Sequence, residues 1–310
     1  MEVHYIDLES EVEKKFFHLA IGNFDGIHLG HQKIIRGVVT NAEEQKKPSA
    51  ILSFDPHPRQ FFSRDLDRYQ IIGLEKKKKI LSNLGINDLF YLKFNELIAN
   101  LSPTDFITKI LIDKLKIRKL TVGYDFHFGK NREGDVILLK DYATIHGFEL
   151  DIIDPIKDIL EKEVFSSSAI RKAIKNGFIE KANMMLGSAW TMEGEVIHGD
   201  KKAREMNFPT ANLLPHDLIY PMKGVYAVKT ILNQNKFNGI ANFGERPTVD
   251  GKKLLLEVHL FDFNEDIYGK HLTVEFLTFI RGEKKFDSFS LLVEQIKRDI
   301  QISKDYHQSK

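Results

Sequence analysis

The first half of the chain alternates short apolar runs with segments of helical periodicity, and this alternation restricts the folds open to it. Residues 16–22 form an apolar run that ends in glycine, and the next segment spaces its apolar residues as a helix does. Strands are also predicted over SAILSFD, DLFYLKF and IRKLTVG, and helices over GLEKKKKILSNLG and SPTDFITKILIDKL. Strands that alternate with helices indicate an α/β domain with a parallel sheet covered on both faces.

From about Trp190 the pattern changes to short β-like runs separated by Gly, Asn, Asp and Lys. Their spacing is typical of a small antiparallel barrel or sandwich. The chain ends in an amphipathic helix whose apolar side carries Leu291, Leu292, Ile296 and Ile300. A helical stretch, SSSAIRKAIKNGFIEKANMMLG, joins the two halves. We therefore expect two domains, residues 1–186 and 187–310.

Composition narrows the chemistry. The chain of 310 residues has no cysteine, which excludes disulfides, thiolate zinc sites and cysteine nucleophiles. The net charge of +1 offers no field to attract nucleic acid or an acidic membrane. No apolar stretch approaches the roughly 18 residues of a membrane span, and the first residues lack a signal-peptide core. We expect a cytoplasmic protein with small-molecule partners; the oligomeric state, a homo-oligomer included, stays open.

The segment GNFDGIHLGH, residues 22–31, follows the first strong strand and precedes a helix. Its glycines allow close approach of the backbone to a ligand, and the following helix offers its positive end to phosphate. His28 and His31 fall on one side of a helical turn, where they can donate to phosphate oxygens. A nucleotide site, a metal site and a tight turn with incidental histidines all fit this segment alone. The chain lacks the P-loop and dinucleotide-binding motifs.

Further motifs favour the nucleotide. HLGH resembles the HxGH signature of the nucleotidylyltransferases, which also occurs in class I aminoacyl-tRNA synthetases. SFDPHPRQFF, GYDFHFGKNREGD and FSSSAIRKAI follow in the order found in the prokaryotic bifunctional riboflavin kinase/FMN adenylyltransferases, also called FAD synthetases. The resemblance covers the N-terminal half and implies a Rossmann-like nucleotidylyltransferase domain. An aminoacyl-tRNA synthetase is disfavoured because the chain lacks a KMSKS-like segment and an evident anticodon-binding domain.

The resemblance implies a role for each motif. His28 and His31 bind the ATP phosphates and stabilise the transition state at the α-phosphorus, and Arg171 brings a permanent cation. Other ATP-binding positions are Gly22, Asn23, Phe24, Asp25, Gly30, Ser166, Ser167 and Ser168. The flavin candidates are Phe62, Asp125 and Phe128. The alternative for each phenylalanine is core packing, and for Asp125 it is a turn.

The second half resembles the riboflavin kinase domain of the same family, a small antiparallel β-barrel with a C-terminal helix. FPTAN, GVYAV, ANFGERPTV, LEVHLFDF, DIYG and IRGEKKFDS occur in family order. By this resemblance Thr210 and Asn212 hold Mg²⁺ with ATP, since both offer hard oxygen donors. Glu257 is the general base for the riboflavin 5′-hydroxyl. For Thr210 and Asn212 the alternative is a solvated turn, and for Glu257 it is a strand residue that faces solvent.

The same resemblance places Gly199 and Lys201 at ATP and Arg281 at the flavin. One departure is the loop before FPTAN, where Ala203 and Asn207 stand in place of glycines. Alanine tolerates a left-handed backbone poorly, so a positive φ at Ala203 would strain this phosphate-covering loop by on the order of 1 kcal/mol. We expect a bifunctional enzyme that makes FMN and then FAD. One open alternative is a monofunctional FAD synthetase with a degenerate kinase domain. The other is a flavin-responsive regulatory or RNA-binding protein, which the neutral net charge disfavours.

Overall fold

The computed structural model describes residues 1–13, 15–63, 68–156, 164–197, 208–215, 218–248 and 251–310, with the side chains of 246–248 and 251–253 left aside. The chain separates into two compact units. The first comprises Met1–Tyr69 and Gly73–Ser166, and the second comprises Gln70–Ile72 and Ser167–Lys310.

The first unit is built on a six-stranded sheet in the order β1-β4-β3-β2-β5-β6, with every neighbouring pair parallel. Its strands are β1 (Glu2–Ile6), β2 (His18–Ile21), β3 (Ser49–Asp55), β4 (Asp88–Lys93), β5 (Lys119–Gly123) and β6 (Glu149–Ile153). The chain runs from β2 outwards through β3 and β4 and then crosses to β5 on the other side of β2. Ligands in such sheets bind beyond the carboxyl ends of the strands at this reversal.

From β2 onward, helices lie between successive strands of this sheet. They are α1 (Leu29–Glu44), α2 (Pro58–Phe62), α3 (Leu74–Asn83), α4 (Glu96–Ala99), α5 (Pro103–Asp105), which continues as a π-helical segment (Phe106–Lys114), and α6 (Val136–His146). Ser102 caps α5 as its sequence predicts, because its hydroxyl accepts a hydrogen bond from the Asp105 N–H at 3.1 Å. Gly85, with φ +93°, follows α3 in the left-handed conformation that ends many helices.

Apolar side chains from the sheet and helices form the core of the first unit. Leu19, Leu52 and Leu120 from three neighbouring strands are fully buried, as are Ile110 and Leu111 from the π-helical segment. Each such side chain contributes roughly 1.5–3 kcal/mol through burial. All of β2 is buried, so the loop that follows it starts from a rigid base.

The second unit holds α7 (Ser167–Lys175) and α8 (Ile179–Leu186), followed by a closed six-stranded barrel in the order β10-β11-β8-β7-β12-β9. The barrel strands are β7 (Trp190–Ile197), β8 (Ala211–Leu213), β9 (Gly224–Leu232), β10 (Asn235–Thr248), β11 (Gly251–Leu260) and β12 (His271–Gly282). Trp190, Tyr226 and Phe276 are fully buried, and the Phe276 ring packs against both other rings. The predicted fold class, a parallel α/β sheet followed by an antiparallel barrel and a C-terminal helix, is confirmed.

The C-terminal helix, α9 (Phe289–Gln308), docks on the barrel through polar groups as well as apolar ones. Ser303 is fully buried and its hydroxyl donates to the Gly239 carbonyl at 3.0 Å, and Asp299 is buried beside the barrel. Leu291, from the predicted apolar side, is 47% exposed. Apolar periodicity gives the helix correctly but misses the polar contacts that attach it.

Candidate active sites

The loop after β2 carries the histidine motif in a strained backbone. Phe24, Gly26 and Ile27 have φ of +45°, +85° and +42°, a region that side chains other than glycine rarely adopt. Burial of Phe24 and Ile27, which are 2% and 1% exposed, holds the loop in this shape. Strain of this kind concentrates at functional sites because surrounding packing must stabilise it.

Two glycines of the loop make room for neighbouring rings. A Cβ on Gly30 would lie 3.0 Å from the His28 ring and 3.6 Å from the Phe165 carbonyl oxygen. A Cβ on Gly22 would lie 3.2 Å from the Phe24 ring. Both positions therefore serve the placement of the motif's own side chains.

His28 and His31 stack at the N-terminus of α1. Their ring centroids are 3.6 Å apart with an interplanar angle of 22°, and the Phe24 ring packs edge-on against His31. His28 caps the helix, because its Nδ1 accepts from the His31 backbone N–H at 3.3 Å. A neutral His28 therefore carries its proton on Nε2, as assigned from this hydrogen bond. The pair forms a donor group at the positive end of a helix, a place suited to phosphate.

A buried lysine missed by the sequence analysis supports this loop. Lys77 on α3 is 9% exposed, and its Nζ donates to the Asn23 carbonyl at 2.7 Å and to the Ser53 hydroxyl at 3.0 Å. Burial lowers the pKa of Lys77 to about 8, against the attraction of Asp25 and Asp55. The signal was present, since Lys77 lies four residues before the buried Leu81 on the same face of α3.

The predicted flavin residues differ in exposure. Phe62 is 70% exposed and packs edge-on against Phe61 and Phe94. Asp125 is exposed in the loop after β5. Phe128 is 6% exposed and belongs to the core, where it packs against the rings of Phe106 and Phe126.

The serine–arginine segment lies where the two units meet in sequence. Ser166 is the last residue of the first unit, and Ser167 and Ser168 form the first turn of α7 in the second. Arg171 is 8% exposed on the same helix as the buried Ile170 and Ile174. The segment thus offers hydroxyls at a helix N-terminus and one buried guanidinium.

Polar residues form a row across three strands of the barrel. Glu257 on β11 is directly opposite Asn212 on β8 and Asn242 on β10. Side chains of residues directly opposite project from the same face, with Cβ atoms roughly 5 Å apart. Asn212 and Glu257 are 5% and 7% exposed, so the alternative of a strand residue facing solvent is wrong for Glu257. The adjacent Leu256 and Val258 are also buried, which explains the missing alternation.

FPTAN is anchored by His259, which the sequence analysis did not single out. The Nδ1 of His259 hydrogen-bonds the Pro209 carbonyl at 2.8 Å, and its ring lies edge-on to Phe208. Thr210 follows directly and is half-buried. His259 is two residues beyond Glu257 on β11, so one strand both carries Glu257 and fixes the segment with Thr210 and Asn212.

Arg281, the remaining flavin candidate, is bound to the C-terminal helix. Its Nε lies 3.0 and 2.9 Å from the two carboxylate oxygens of Asp299, and its Nη2 donates to Asp299 Oδ2 at 2.7 Å. Its Nη1 donates to the Gly282 carbonyl at 2.9 Å. In this structure the guanidinium attaches β12 to α9. Gly199, Lys201, Ala203 and Asn207 lie outside the described residues.

One group of metal-ligating side chains lies away from these sites. Ligand atoms of Glu2, His4 and Asp88 fall within 4.8 Å of one another. They occupy the amino ends of β1 and β4, at the sheet edge opposite the histidine loop, and His4 Nε2 already lies 2.8 Å from Asp88 Oδ1. Among the described residues, no helix has the length and apolar character needed to cross a membrane.

Known proteins resemble both halves of the chain. The FAD synthetase family model matches residues 10–169, and the riboflavin kinase model matches residues 186–307. The bifunctional riboflavin kinase/FMN adenylyltransferase of Haemophilus influenzae is 39% identical over 94% of each chain. The one of Bacillus subtilis is 39% identical over 91% of this chain and 90% of that protein.

A solved structure has the same architecture throughout. It is described as a macrolide-efflux protein from Streptococcus pneumoniae, is 30% identical, and covers 98% of this chain and 99% of that one with a TM-score of 0.88. Its description differs from the names of the curated relatives, whereas both family models and those relatives agree with one another. The chain belongs to the bifunctional riboflavin kinase/FMN adenylyltransferase family.

Proposed function

We propose that this chain makes FAD in two reactions at two separate sites. The barrel transfers the γ-phosphoryl group of ATP to the 5′-hydroxyl of riboflavin, giving FMN and ADP. The N-terminal half transfers the adenylyl group of a second ATP to FMN and releases pyrophosphate. The observation that carries the proposal is that one chain holds both a histidine pair at a helix N-terminus and a buried carboxylate among amide side chains. We assign the reactions to residues 1–186 and 187–310; the kinase match from residue 186 supports this division.

For adenylyl transfer, we assign His28 and His31 to the phosphates of ATP. A phosphate oxygen of FMN attacks the α-phosphorus in line, and pyrophosphate leaves without a covalent enzyme intermediate. Charge grows on the oxygens around the α-phosphorus, so fixed donors accelerate the reaction by stabilising it there. The Nε2–H of His28 and the first backbone N–H groups of α1 suit this role. Arg171 and the hydroxyls of Ser166, Ser167 and Ser168 complete the assignment.

For phosphoryl transfer, we assign Glu257 as the general base. The attacking 5′-hydroxyl must lose its proton as the γ-phosphoryl group arrives, and a carboxylate can accept it. Glu257 is 7% exposed and lies directly opposite Asn212 and Asn242, so its carboxylate is restricted in its motion and largely shielded from water. A fixed carboxylate loses less entropy when it engages the alcohol.

The oxygen donors of the barrel fit Mg²⁺. Thr210 and Asn212 supply a hydroxyl and an amide oxygen, which are hard donors that Mg²⁺ accepts alongside phosphate oxygens. When bound, the ion neutralises part of the phosphate charge. The hydrogen bond from His259 to the Pro209 carbonyl and the pairing of β8 with β11 hold the two donors in place.

For the flavin of the adenylyltransferase site, Phe62 is the strongest candidate because its ring is exposed and supported by two other rings. We assign Asp125, which is exposed in the loop after β5, as a hydrogen-bond acceptor for the flavin. We assign Phe128 a supporting role beneath Phe126, with which it stacks at 5.5 Å. Arg281 would contact the kinase flavin only through the part of its guanidinium that Asp299 leaves accessible.

A single assay tests the proposed function. Purified protein is incubated with riboflavin, ATP and Mg²⁺, and the products are separated by chromatography. We expect FMN first and FAD later, and no FMN without Mg²⁺. The absence of both flavin nucleotides would refute the proposal. Formation of FAD from supplied FMN but not from riboflavin would instead support a monofunctional FAD synthetase.

A further inference from the structure

Lys77 is a buried cation that none of the assigned roles uses. Its Nζ donates to the Asn23 carbonyl at 2.7 Å and to the Ser53 hydroxyl at 3.0 Å, and the Ser53 hydroxyl itself lies 3.4 Å from the same carbonyl. Asn23 follows β2 and Ser53 belongs to β3, so the three groups join the carboxyl ends of two neighbouring strands. Burying an ammonium is costly unless it is paired and hydrogen-bonded.

The surroundings of Lys77 compensate this cost only in part. The carboxylates of Asp25, from the loop after β2, and Asp55, from the end of β3, attract the ammonium, while burial opposes its charge. The Tyr91 ring from β4 lies 5.3 Å from Nζ. Burial raises the pKa of Tyr91, so this phenol does not titrate in the range where Lys77 does.

The carbonyl that Lys77 holds belongs to a strained loop. Asn23 precedes the positive-φ residues Phe24, Gly26 and Ile27, and the strain of such a loop is sustained only by its contacts. Within the part of the chain that the structure describes, the buried Oδ1 of Asn23 has no hydrogen-bond partner. The contacts that hold Asn23 are thus those to its backbone carbonyl, from the Lys77 ammonium and the Ser53 hydroxyl.

We propose that Lys77 is a positioning residue for adenylyl transfer, which fixes the Asn23 carbonyl and thereby orients the histidine loop for ATP. This inference rests on the proposed FMN adenylyltransferase activity. Lys77 acts through Asn23 and Ser53 and does not itself touch the reacting phosphates. Without the ammonium the loop samples other backbone conformations, and ATP binds only the fraction that is correctly arranged.

The first test replaces the ammonium with an apolar chain of similar length. In Lys77→Met we expect kcat/KM for ATP in FMN adenylylation to fall by about 10- to 100-fold, mainly through KM, as loss of a charged hydrogen-bond donor implies. Riboflavin phosphorylation in the same protein stays unchanged and serves as the internal control. Lys79→Met, on the exposed side of the same helix, changes neither activity.

The second test separates charge from packing. Burial lowers the pKa of Lys77 to about 8, so the affinity of the wild type for ATP should fall as the pH rises through that value. Lys77→Met should lack this high-pH limb of the affinity profile. Ser53→Ala keeps the ammonium and removes one of its partners. It should raise the KM for ATP by a few fold. If Lys77→Met does not fold, this change in KM tests the positioning role of Lys77 in its place.

The outcomes are distinct. A wild-type KM for ATP in Lys77→Met, with the high-pH limb retained, would overturn the inference. An equal loss of both activities together with a lower melting temperature in Lys77→Met, with wild-type kinetics in Ser53→Ala, would reduce Lys77 to a structural role and also overturn it. Failure of the wild type to adenylylate FMN would refute the proposed function itself.

Discussion

Gly224 begins β9 in the GVYAV motif and lies against the backbone of β12. Its φ of +151° is rarely adopted by other residues, and a Cβ there would lie 2.2 Å from the Arg281 carbonyl oxygen and 3.0 Å from the Gly282 Cα. The clashing atoms belong to the paired backbone of β12, so they cannot move without disturbing the ladder. The backbone conformation costs about 1–3 kcal/mol and the overpacking another 1–3 kcal/mol. We expect Gly224→Ala to destabilise the barrel by about 2–6 kcal/mol.

The single tryptophan provides the assay. Trp190 is fully buried in the barrel, so urea unfolding followed by its fluorescence reports on the second unit. With a slope of about 1–3 kcal/mol per molar urea, the midpoint for Gly224→Ala should fall by at least about 0.7 M. Gly269→Ala is the matched control, because Gly269 has φ +72° but its nearest atom would lie at 3.9 Å. It isolates the backbone cost of about 1–2 kcal/mol. Equal midpoints for the two variants would refute the steric reasoning.

Three further outcomes are expected. Burial lowers the pKa of His18, so below the ordinary histidine pKa of about 6.5 the unfolded state binds more protons than the folded state. The melting temperature should therefore fall as the pH drops through this value. His18→Leu should make the melting temperature, measured by circular dichroism, less dependent on pH between about pH 5 and 8. Asn212→Ala should raise the Mg²⁺ concentration that gives half-maximal riboflavin phosphorylation and leave FMN adenylylation unchanged. The same half-maximal Mg²⁺ concentration in Asn212→Ala and the wild type would contradict the metal assignment. Asp299→Asn should cost about 1–3 kcal/mol in urea unfolding, because it leaves the partly buried guanidinium of Arg281 without its carboxylate.

Elements with strong periodicity or clear caps were predictable. The helix after the histidine motif, the cap at Ser102 and the strand GVYAVKTIL all appear where the sequence places them. The amphipathic pattern also gave the C-terminal helix, although polar groups such as Ser303 attach it. These features depend on local residues, which is why the sequence reveals them.

Features that depend on distant partners were missed. The strand β1, EVHYI, has no clear alternation and exists because it pairs with β4 at the sheet edge. The sequence predicts no strand around Asn212, where a solvated turn was the alternative to a metal site, yet residues 211–213 form β8 because β7 and β11 offer hydrogen bonds on both sides. The segment Gln70–Ile72 packs with the barrel unit, where the Trp190 indole donates to the Ile71 carbonyl at 2.8 Å. No local sequence pattern predicts such a contact.

The candidate site was predictable as motifs and less so as geometry. The stacking of His28 on His31 follows from their spacing at a helix start, and the pairing of Glu257 with Asn212 requires the barrel topology. The burial of Lys77 was missed because Lys77 lies in a run of four lysines typical of a solvated face, although its spacing from Leu81 puts it on the buried side of α3. The catalytic and binding roles themselves stay predictions.

The most direct test of two separate sites in one chain compares His31→Ala with Glu257→Ala in the same chromatographic time course. His31→Ala should convert riboflavin to FMN at the wild-type rate and accumulate it without FAD. Glu257→Ala should form no FMN from riboflavin but convert supplied FMN to FAD at the wild-type rate. If either substitution abolished both reactions in a protein that remains folded, the assignment of two independent sites would be wrong.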